Sequence, residues 1–491
     1  MIRHGLMVIL GGVVSLFAQA PDTLWTKTYG GLETDYGVCV ELTSDGDYAI
    51  LGMTRSFGAG SYDVWLIKTD SLGDTLWTRM YGESESDYGY AVQQTSDDGY
   101  IIVGATWSYG SGLGDVWLIK TDSLGNILWS KIFGGSDTDY GKSVCQTTDG
   151  GYIIAGFTLS FGTGYYDVWL IKTDANGDTL WTRTYGGTNL DVGEIVRETS
   201  DGGYIIGAHT NSFGPTQDIW LIKTDKGGDT LWTKIYNLPQ SEAISSVQQT
   251  MDGGYIIAGQ TYVFPTVQPD GLLIKTDPSG EVSWIKTYDY DLGDAFNSVQ
   301  QTTDGGYIIA GFTGGSNSPG DSAKPDVWII KTDSLGDTLW TRTYGRRTGD
   351  EVATSVRQTS DERYIVVGHT NSFGSGDNDI WLIRLGSETE VSEYCRNNTK
   401  IFPVFRIYPN PFTNSILVEY QLNRSTNVEI TIYNSLGQKI ITLVNRNEST
   451  GFHRVIWDGH DHQGKKLAGG VYFCRFRVGD YTTIKRVCLV R

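Results

Sequence analysis

Between residues 24 and 386, apolar residues fall in short runs cut by Gly, Asp, Asn and Ser, and no stretch repeats at the 3.6-residue spacing of a helix. Residues 140–186 show the pattern. Gly141 to Thr147 (GKSVCQT) reads as a first strand. The turn at Asp149, Gly150 and Gly151 is expected to supply the positive φ of a tight hairpin. YIIAGFT follows as a second strand. A longer loop, Leu159 to Tyr166, leads to DVWLIKTD, and a turn at Ala175, Asn176 and Gly177 leads to DTLWTRTYG. The four runs are rich in Val, Ile, Thr, Tyr and Trp and lack Pro, as paired strands require.

This unit recurs. The DVWLIKTD phrase begins at Asp63, Asp115, Asp167, Asp218, Asp270, Asp326 and Asp379. Trp25, Trp77, Trp129, Trp181, Trp232, Trp284 and Trp340 mark a second position. Tyr48, Tyr100, Tyr152, Tyr204, Tyr255, Tyr307 and Tyr364 mark a third. Seven copies about 52 residues apart, carrying only strand signals, predict a β-propeller with four-stranded blades. The chain meets the fourth-strand type first, at Leu24 to Tyr29, and the seventh unit stops after its third strand at Leu385. The N-terminal strand is therefore expected to complete the seventh blade, so that no hydrogen-bonding edge stays open.

After residue 386 the pattern changes. A polar linker is expected at 387–403. From 404 to 491 alternating segments such as SILVEYQL, VEITIYN and GVYFCRFRV predict a small β-sandwich. At the other end, Arg3 and His4 precede an uncharged run from Gly5 to Phe17, followed by Ala18-Gln19-Ala20. This is the layout of a signal peptide over residues 1–20, which leaves a propeller at 21–386. The run is too short to span a bilayer.

Composition narrows the class. Gly is 63 of 491 residues and Pro only 11, which suits many tight turns. The net charge is −19, which argues against nucleic acid as a partner. The charge is divided: residues 404–491 hold 12 Lys and Arg against 6 Asp and Glu, and the rest of the chain holds 26 against 51. Five Cys without a C-x-x-C spacing give no disulfide framework or zinc site. Cys474 and Cys488 fall on neighbouring expected strands, where either a bridge or two incidental thiols is open.

The pattern YIIAG…DVWLIKTDxxGDTLW resembles the repeats of pyrroloquinoline-quinone proteins. The repeat here is longer, the ring has seven blades rather than eight, and no vicinal cysteine pair is present, so no quinone cofactor is carried over. The tail opens with Tyr408-Pro409-Asn410-Pro411-Phe412, continues through IYNSLGQKI and WDGHDHQGKKLAGGVYF, and ends in IKRVCLVR, which contains Lys485 and Arg486. These motifs resemble the C-terminal sorting domain of the type IX secretion system and the related immunoglobulin-like domain of flagellar hook-capping proteins. The resemblance implies delivery by the type IX machinery to the cell surface or the medium.

Candidate chemistry is sparse. Thirteen of the 15 Trp occupy two repeat positions, which suits blade packing better than a ring of sugar-stacking sites. Each DVW strand opens with Asp, and Asp35, Asp87, Asp139, Asp191, Asp294 and Asp350 precede first strands. Both sets are placed on one face. There they cap turn amides or, alternatively, bind calcium. The loop before DVW varies most. Its recurring Phe57, Tyr109, Phe161, Phe213 and Phe373 are either ligand-face residues or plugs that hold the loops down. His209 and His369 share a position with Phe157 and Phe312, which suggests packing. Glu194, Arg197 and Glu198 form an unusual charged cluster on a first strand. No Ser-His-Asp spacing, zinc motif or phosphate loop is present. The reading that follows is an exported propeller that binds an extracellular ligand, glycan or protein. A polysaccharide hydrolase or lyase and a structural surface-layer or adhesion protein are the rivals.

Overall fold

The computed structural model describes residues 20–491 apart from 264–267, 291–292, 315–323, 347–348, 389–403, 409–411, 414, 423–424, 435–436, 450, 479–480 and 491. The expected signal peptide therefore lies, but for Ala20, outside the described residues, as does most of the expected linker. The chain divides into two compact units, Met1–Val391 and Ser392–Arg491. Among the described residues no helix is long and apolar enough to cross a membrane.

The first unit is a seven-bladed propeller of four-stranded antiparallel sheets. Blade one consists of Asp35–Leu42, Tyr48–Thr54, Asp63–Thr69 and Thr75–Tyr81, from the axis outward. The second and third strands are buried almost throughout, as in Tyr100–Thr106 and Asp115–Thr121, because a neighbouring blade covers each face. Their unbroken apolar runs follow from that double cover. The outermost strands, such as Ile127–Phe133, alternate exposed and half-buried residues. Each hydrophobic cluster spans two blades: Val116 and Leu118 of blade two pack with Val144, Ile154 and Trp169 of blade three. Of the repeated Trp, those on third strands, among them Trp65, Trp117 and Trp169, are buried, while Trp77 and Trp129 on outermost strands meet Tyr100 and Tyr152 of the next blade at 6.0 and 5.9 Å.

The ring closes as expected. Thr23–Tyr29 pairs antiparallel with Asp379–Leu385, and Val40, Ile50 and Trp65 of blade one share a core with Ile365, Val367 and Leu382 of blade seven.

The turns are defined more sharply than expected. In TDGG, Gly150 alone takes a positive φ, 83°. Asp149 instead accepts from Thr147 Oγ1, from Gly151 N–H and from the buried ammonium of Lys172. Asp98 and Glu362 fill the left-handed slot in blades two and seven, at φ 62° and 59°. The lysine of each DVWLIKTD strand pairs with such a turn carboxylate, as in Lys120–Asp97 and Lys331–Asp304 at 3.0 and 2.8 Å. Arg384 takes this part in blade seven, against Asp361. These turns lie on one face of the ring. The loops between second and third strands, and the links between blades, lie on the other, called here the loop face.

Every inner strand carries a one-residue bulge, between Gly37 and Cys39 in blade one and at matching places in the other six. The bulge sets which side chains turn towards the axis.

The second unit is a β-sandwich. A three-stranded sheet of Val404–Tyr408, Ile416–Leu422 and Gly451–Trp457 faces a four-stranded one of Lys439–Glu448, Thr426–Asn434, Gly470–Val478 and Tyr481–Leu489. Its own core includes Ile416, Tyr420, Ile430, Trp457, Phe476 and Val487. Cys474 and Cys488 lie on adjacent strands but stand opposite Lys485 and Val471 respectively, so the register does not bring them together.

Candidate functional site

The seven inner strands enclose a channel of about 340 Å³. Its lining breaks the repeat. At one level stand Val38, Tyr90, Lys142, Glu194, Ser245, Asn297 and Thr354, seven different residues from seven blades. Deeper, Gln93, Gln248 and Gln300 accept inner-strand N–H groups of the following blade at 2.7 Å and tie the ring together. Glu41 sits at the same level, 3.9 Å from Arg357. Burial pushes the Glu41 carboxyl up, against the pull of Arg357.

Near the loop face, Lys142 lies 3.8 Å from Glu194 and 4.5 Å above the ring of Tyr90. Burial raises the Glu194 carboxyl, and Lys142 partly offsets this. Of the charged cluster read from the sequence, Glu194 and Arg197 line the channel and Glu198 does not. Glu198 instead accepts from the backbone and hydroxyl of Thr148 in blade three, because the strand pleat turns it outward. Glu41, Lys142 and Arg357 were not singled out in the sequence. The signal for them was a charged residue at the inner-strand position where other blades carry Ser, Gln or Val.

Aromatic side chains form a continuous arc on the loop face around this mouth. Tyr36 contacts His369 at 4.8 Å and Tyr62 at 6.4 Å. Tyr62 meets Tyr88, which meets Tyr90 and Trp107. Tyr140 joins Tyr90 and Trp107 to Phe157, and Phe157 meets Tyr166 at 4.9 Å. Arg55 lies 5.5 Å over Tyr62. Apart from buried Phe157, these rings are half-buried, with area left for contact. The arc covers blades seven and one to three only. The position held by Tyr36, Tyr88 and Tyr140 is Val192, Ala243, Ala295 and Val352 in the other blades. Burial pushes the Tyr140 hydroxyl up to about 12, so it stays protonated and can donate.

His209 and His369 stand at the rim. Burial lowers both to about 4, and the nearby charge of Lys142 adds to the shift at His209. Asp191 and Asp350 oppose these shifts, and Glu194 lies 4.0 Å from His209. Folding thus disfavours the imidazolium, so this contribution to stability is whole above the unfolded pKa near 6.5. It is lost as pH falls from there towards 4, about 3 kcal/mol for each ring. A His209→Phe/His369→Phe variant, with the residue other blades use, is expected to lose less melting temperature between pH 7 and 4.5 than the parent. Equal slopes in a calorimetric pH series would refute this.

The other residues singled out in the sequence are not gathered. Phe57, Tyr109, Phe161, Phe213 and Phe373 lie one per blade, 5.1–5.3 Å from the third-strand Trp of their own blades. Phe57, Phe161 and Phe213 remain more than 40% exposed. In the sandwich, Tyr408 ends the first strand, and Pro409, Asn410 and Pro411 lie outside the described residues. Phe412 is buried against Trp457 at 5.5 Å and exchanges backbone bonds with Cys488 and Val490. Lys485 and Arg486 are exposed on the last strand.

Residues 406–490 match the family described as a secretion system C-terminal sorting domain. Fold and tail together define an exported seven-bladed propeller, sent by the type IX route to the cell surface or the extracellular space. Over an alignment of 255 residues the chain is 25% identical to the regulatory protein FlaEY of Caulobacter vibrioides. That match covers 46% of this chain and 26% of the relative's length. A fungal alcohol oxidase structure shares 10% identity at a TM-score of 0.48, over 96% of this chain and all of that one. PorZ, a surface component of the type IX system of Porphyromonas gingivalis, shares 9% at 0.37, over 91% and 68%. The polysaccharide lyase Uly1 shares 11% at 0.44, over 73% and 91%. Scores of this size carry no argument about activity.

Proposed function

We propose that the propeller is a surface binding module for a carbohydrate chain, held on the aromatic arc at the channel mouth. In this reading residues 1–20 direct entry to the periplasm, 21–386 bind, 387–403 link, and 404–491, an immunoglobulin-like sandwich, engage the type IX machinery. The carrying observation is the broken symmetry. Blades that are otherwise near copies place Tyr36, Tyr88 and Tyr140 on one half of the loop face and Val192, Ala243, Ala295 and Val352 at the matching position on the other. Packing alone would repeat the same residue in every blade. Aromatic faces with hydroxyl donors at their edges suit sugar rings, which offer C–H faces and hydroxyl rims. Lys142 and Arg55 at the arc favour a glycan bearing carboxylate or sulfate groups.

The test is a glycan array followed by calorimetry on the full mature chain. Trp107→Ala/Tyr88→Ala should weaken binding at least tenfold, since each lost aromatic contact contributes about 1–2 kcal/mol. Its circular dichroism should match the parent. Full retention of affinity by a folded variant would remove the arc from the function. Glu194 supports a second reading, cleavage of the bound chain: a buried carboxyl raised by desolvation beside Lys142 suits a general acid. New reducing or unsaturated ends, abolished by Glu194→Gln, would favour that enzyme reading.

A further inference from the structure

We propose that the junctions between consecutive blades are binding sites for a hard divalent cation of the size of calcium. At each junction the Asp opening a third strand faces the acid opening the next inner strand. The pairs are Asp63 with Asp87, Asp115 with Asp139, Asp167 with Asp191, Asp218 with Glu242, Asp326 with Glu351, and Asp379 with Asp35. Asp270 and Asp294 hold the same sequence positions in the remaining junction. In blade seven it is Glu351, not Asp350, that takes the position, and Glu242 takes it in blade five. The longer side chains hid both from the repeat pattern.

The two carboxylates converge. A β-carbon on Gly82 would stand within 3 Å of both Asp63 Oδ1 and Asp87 Oδ2. Gly186 is placed in the same way against Asp167 and Asp191, and Gly30 against Asp379 and Asp35. Glycine is required there because the oxygens occupy the space of a side chain.

Turn capping accounts for only part of this chemistry. Asp63 Oδ2 accepts from the N–H groups of Ala59 and Gly60, Asp115 Oδ2 from Ser111 and Gly112, and Asp167 Oδ2 from Thr163 and Gly164. The second oxygen of each, Oδ1, is buried without a hydrogen-bond partner, as are Asp218 Oδ2 and Glu242 Oε2. All five residues are at most 2% exposed. The Asp63 carboxyl is pushed up first by burial, and the charge of Asp87 adds to it. A buried anionic oxygen facing a second carboxylate is costly unless a cation lies between them.

Main-chain carbonyls complete the cradle. Around the β-carbon position of Gly112 lie the carbonyls of Gly135 and Asp137 and Asp115 Oδ1, all within 3.3 Å. Gly187, Asn189 and Asp167 Oδ1 surround Gly164 in the same way, and the carbonyls of Glu83 and Glu85 approach Gly60. Among the described residues no group of three or more His, Cys, Asp and Glu is placed to hold an ion. The junctions after blades one, two and three thus offer main-chain carbonyls, the unpartnered Oδ1 of Asp63, Asp115 or Asp167, and a facing carboxylate that also accepts from Ser, Thr and backbone donors, an all-oxygen set that suits calcium and gives zinc no nitrogen or sulfur. The sites would pin blade to blade and stiffen the loop face.

The test uses the full mature chain stripped with chelator. Equilibrium dialysis against about 1 mM calcium, near the affinity of extracellular calcium modules, should leave several ions per chain, and the melting temperature should rise by about 4 °C. Magnesium at the same concentration should do much less. Asp115→Asn/Asp167→Asn keeps the turn caps and should reduce the bound calcium by two ions. Should that variant fail to fold, terbium luminescence on the parent chain, displaced by calcium, reads the same sites. No bound calcium and an unchanged melting temperature would overturn the proposal, as would an unaltered ion count in the folded double variant.

Discussion

Removal of residues 21–29 is expected to lower the melting temperature of the propeller by about 10 °C or more and to make it aggregate. The N-terminal strand pairs over Thr23 to Tyr29 with the last propeller strand, so its loss strips blade seven of its outer edge. Further contacts tie it to both neighbours. Tyr29 Oη donates to Gly73 O at 2.6 Å, Lys27 pairs with Asp74 at 2.7 Å, and Trp25 packs on Tyr48 of blade one. Arg342 of blade six donates to the carbonyl of Pro21. At about 1 kcal/mol for each net hydrogen bond, plus the burial of Trp25 and Tyr29, the loss is about 8 kcal/mol. In a domain of this size that corresponds to about 10 °C. The freed strand Asp379–Leu385 would also present a long apolar edge, which templates association. Differential scanning calorimetry and light scattering measure both effects, and a peptide of residues 21–31 added in trans should restore part of the loss. A deletion that melts with the parent would show that closure does not depend on this strand.

The second large effect concerns export. A chain ending at residue 386 should fold with the parent's propeller stability yet build up in the periplasm, with its surface form reduced at least tenfold. The sandwich holds a separate core around Trp457, Tyr420 and Phe476 and carries charge of opposite sign to the propeller. Residues 406–490 carry the sorting-domain match. Cell fractionation and protease shaving of intact cells measure the outcome. Truncated protein outside the cell at normal levels would exclude a sorting role for this domain. An unfolded truncation would show that the propeller needs the tail.

Much of this architecture was legible along the chain because the forces that make a blade are local. YIIAG and DVWLI are apolar without interruption since each blade is covered on both faces, and the GG and SLG turns admit hairpins at little cost. Counting strand types then predicted closure, as one strand was spare at the start and one was missing at the end. The carboxylates at strand starts were legible as a repeated pattern, and their burial was not.

The site was a different matter, for a physical reason. Which inner-strand residues face the axis depends on the bulge after Gly37 and its equivalents, and alternation alone places side chains one step out. Of the charged cluster on one such strand, Glu194 and Arg197 therefore line the channel and Glu198 lies outside it. Tyr36 and His369 are 333 positions apart in sequence and touch only because the ring closes. Asp63 and Asp87 belong to different blades, and the pairing of their charges exists only once those blades pack. Sequence alone thus determined the strands, their number, the closure of the ring and the sorting tail. Tertiary structure alone decided the channel lining, the one-sided aromatic arc and the facing carboxylates, since all three arise where blades meet.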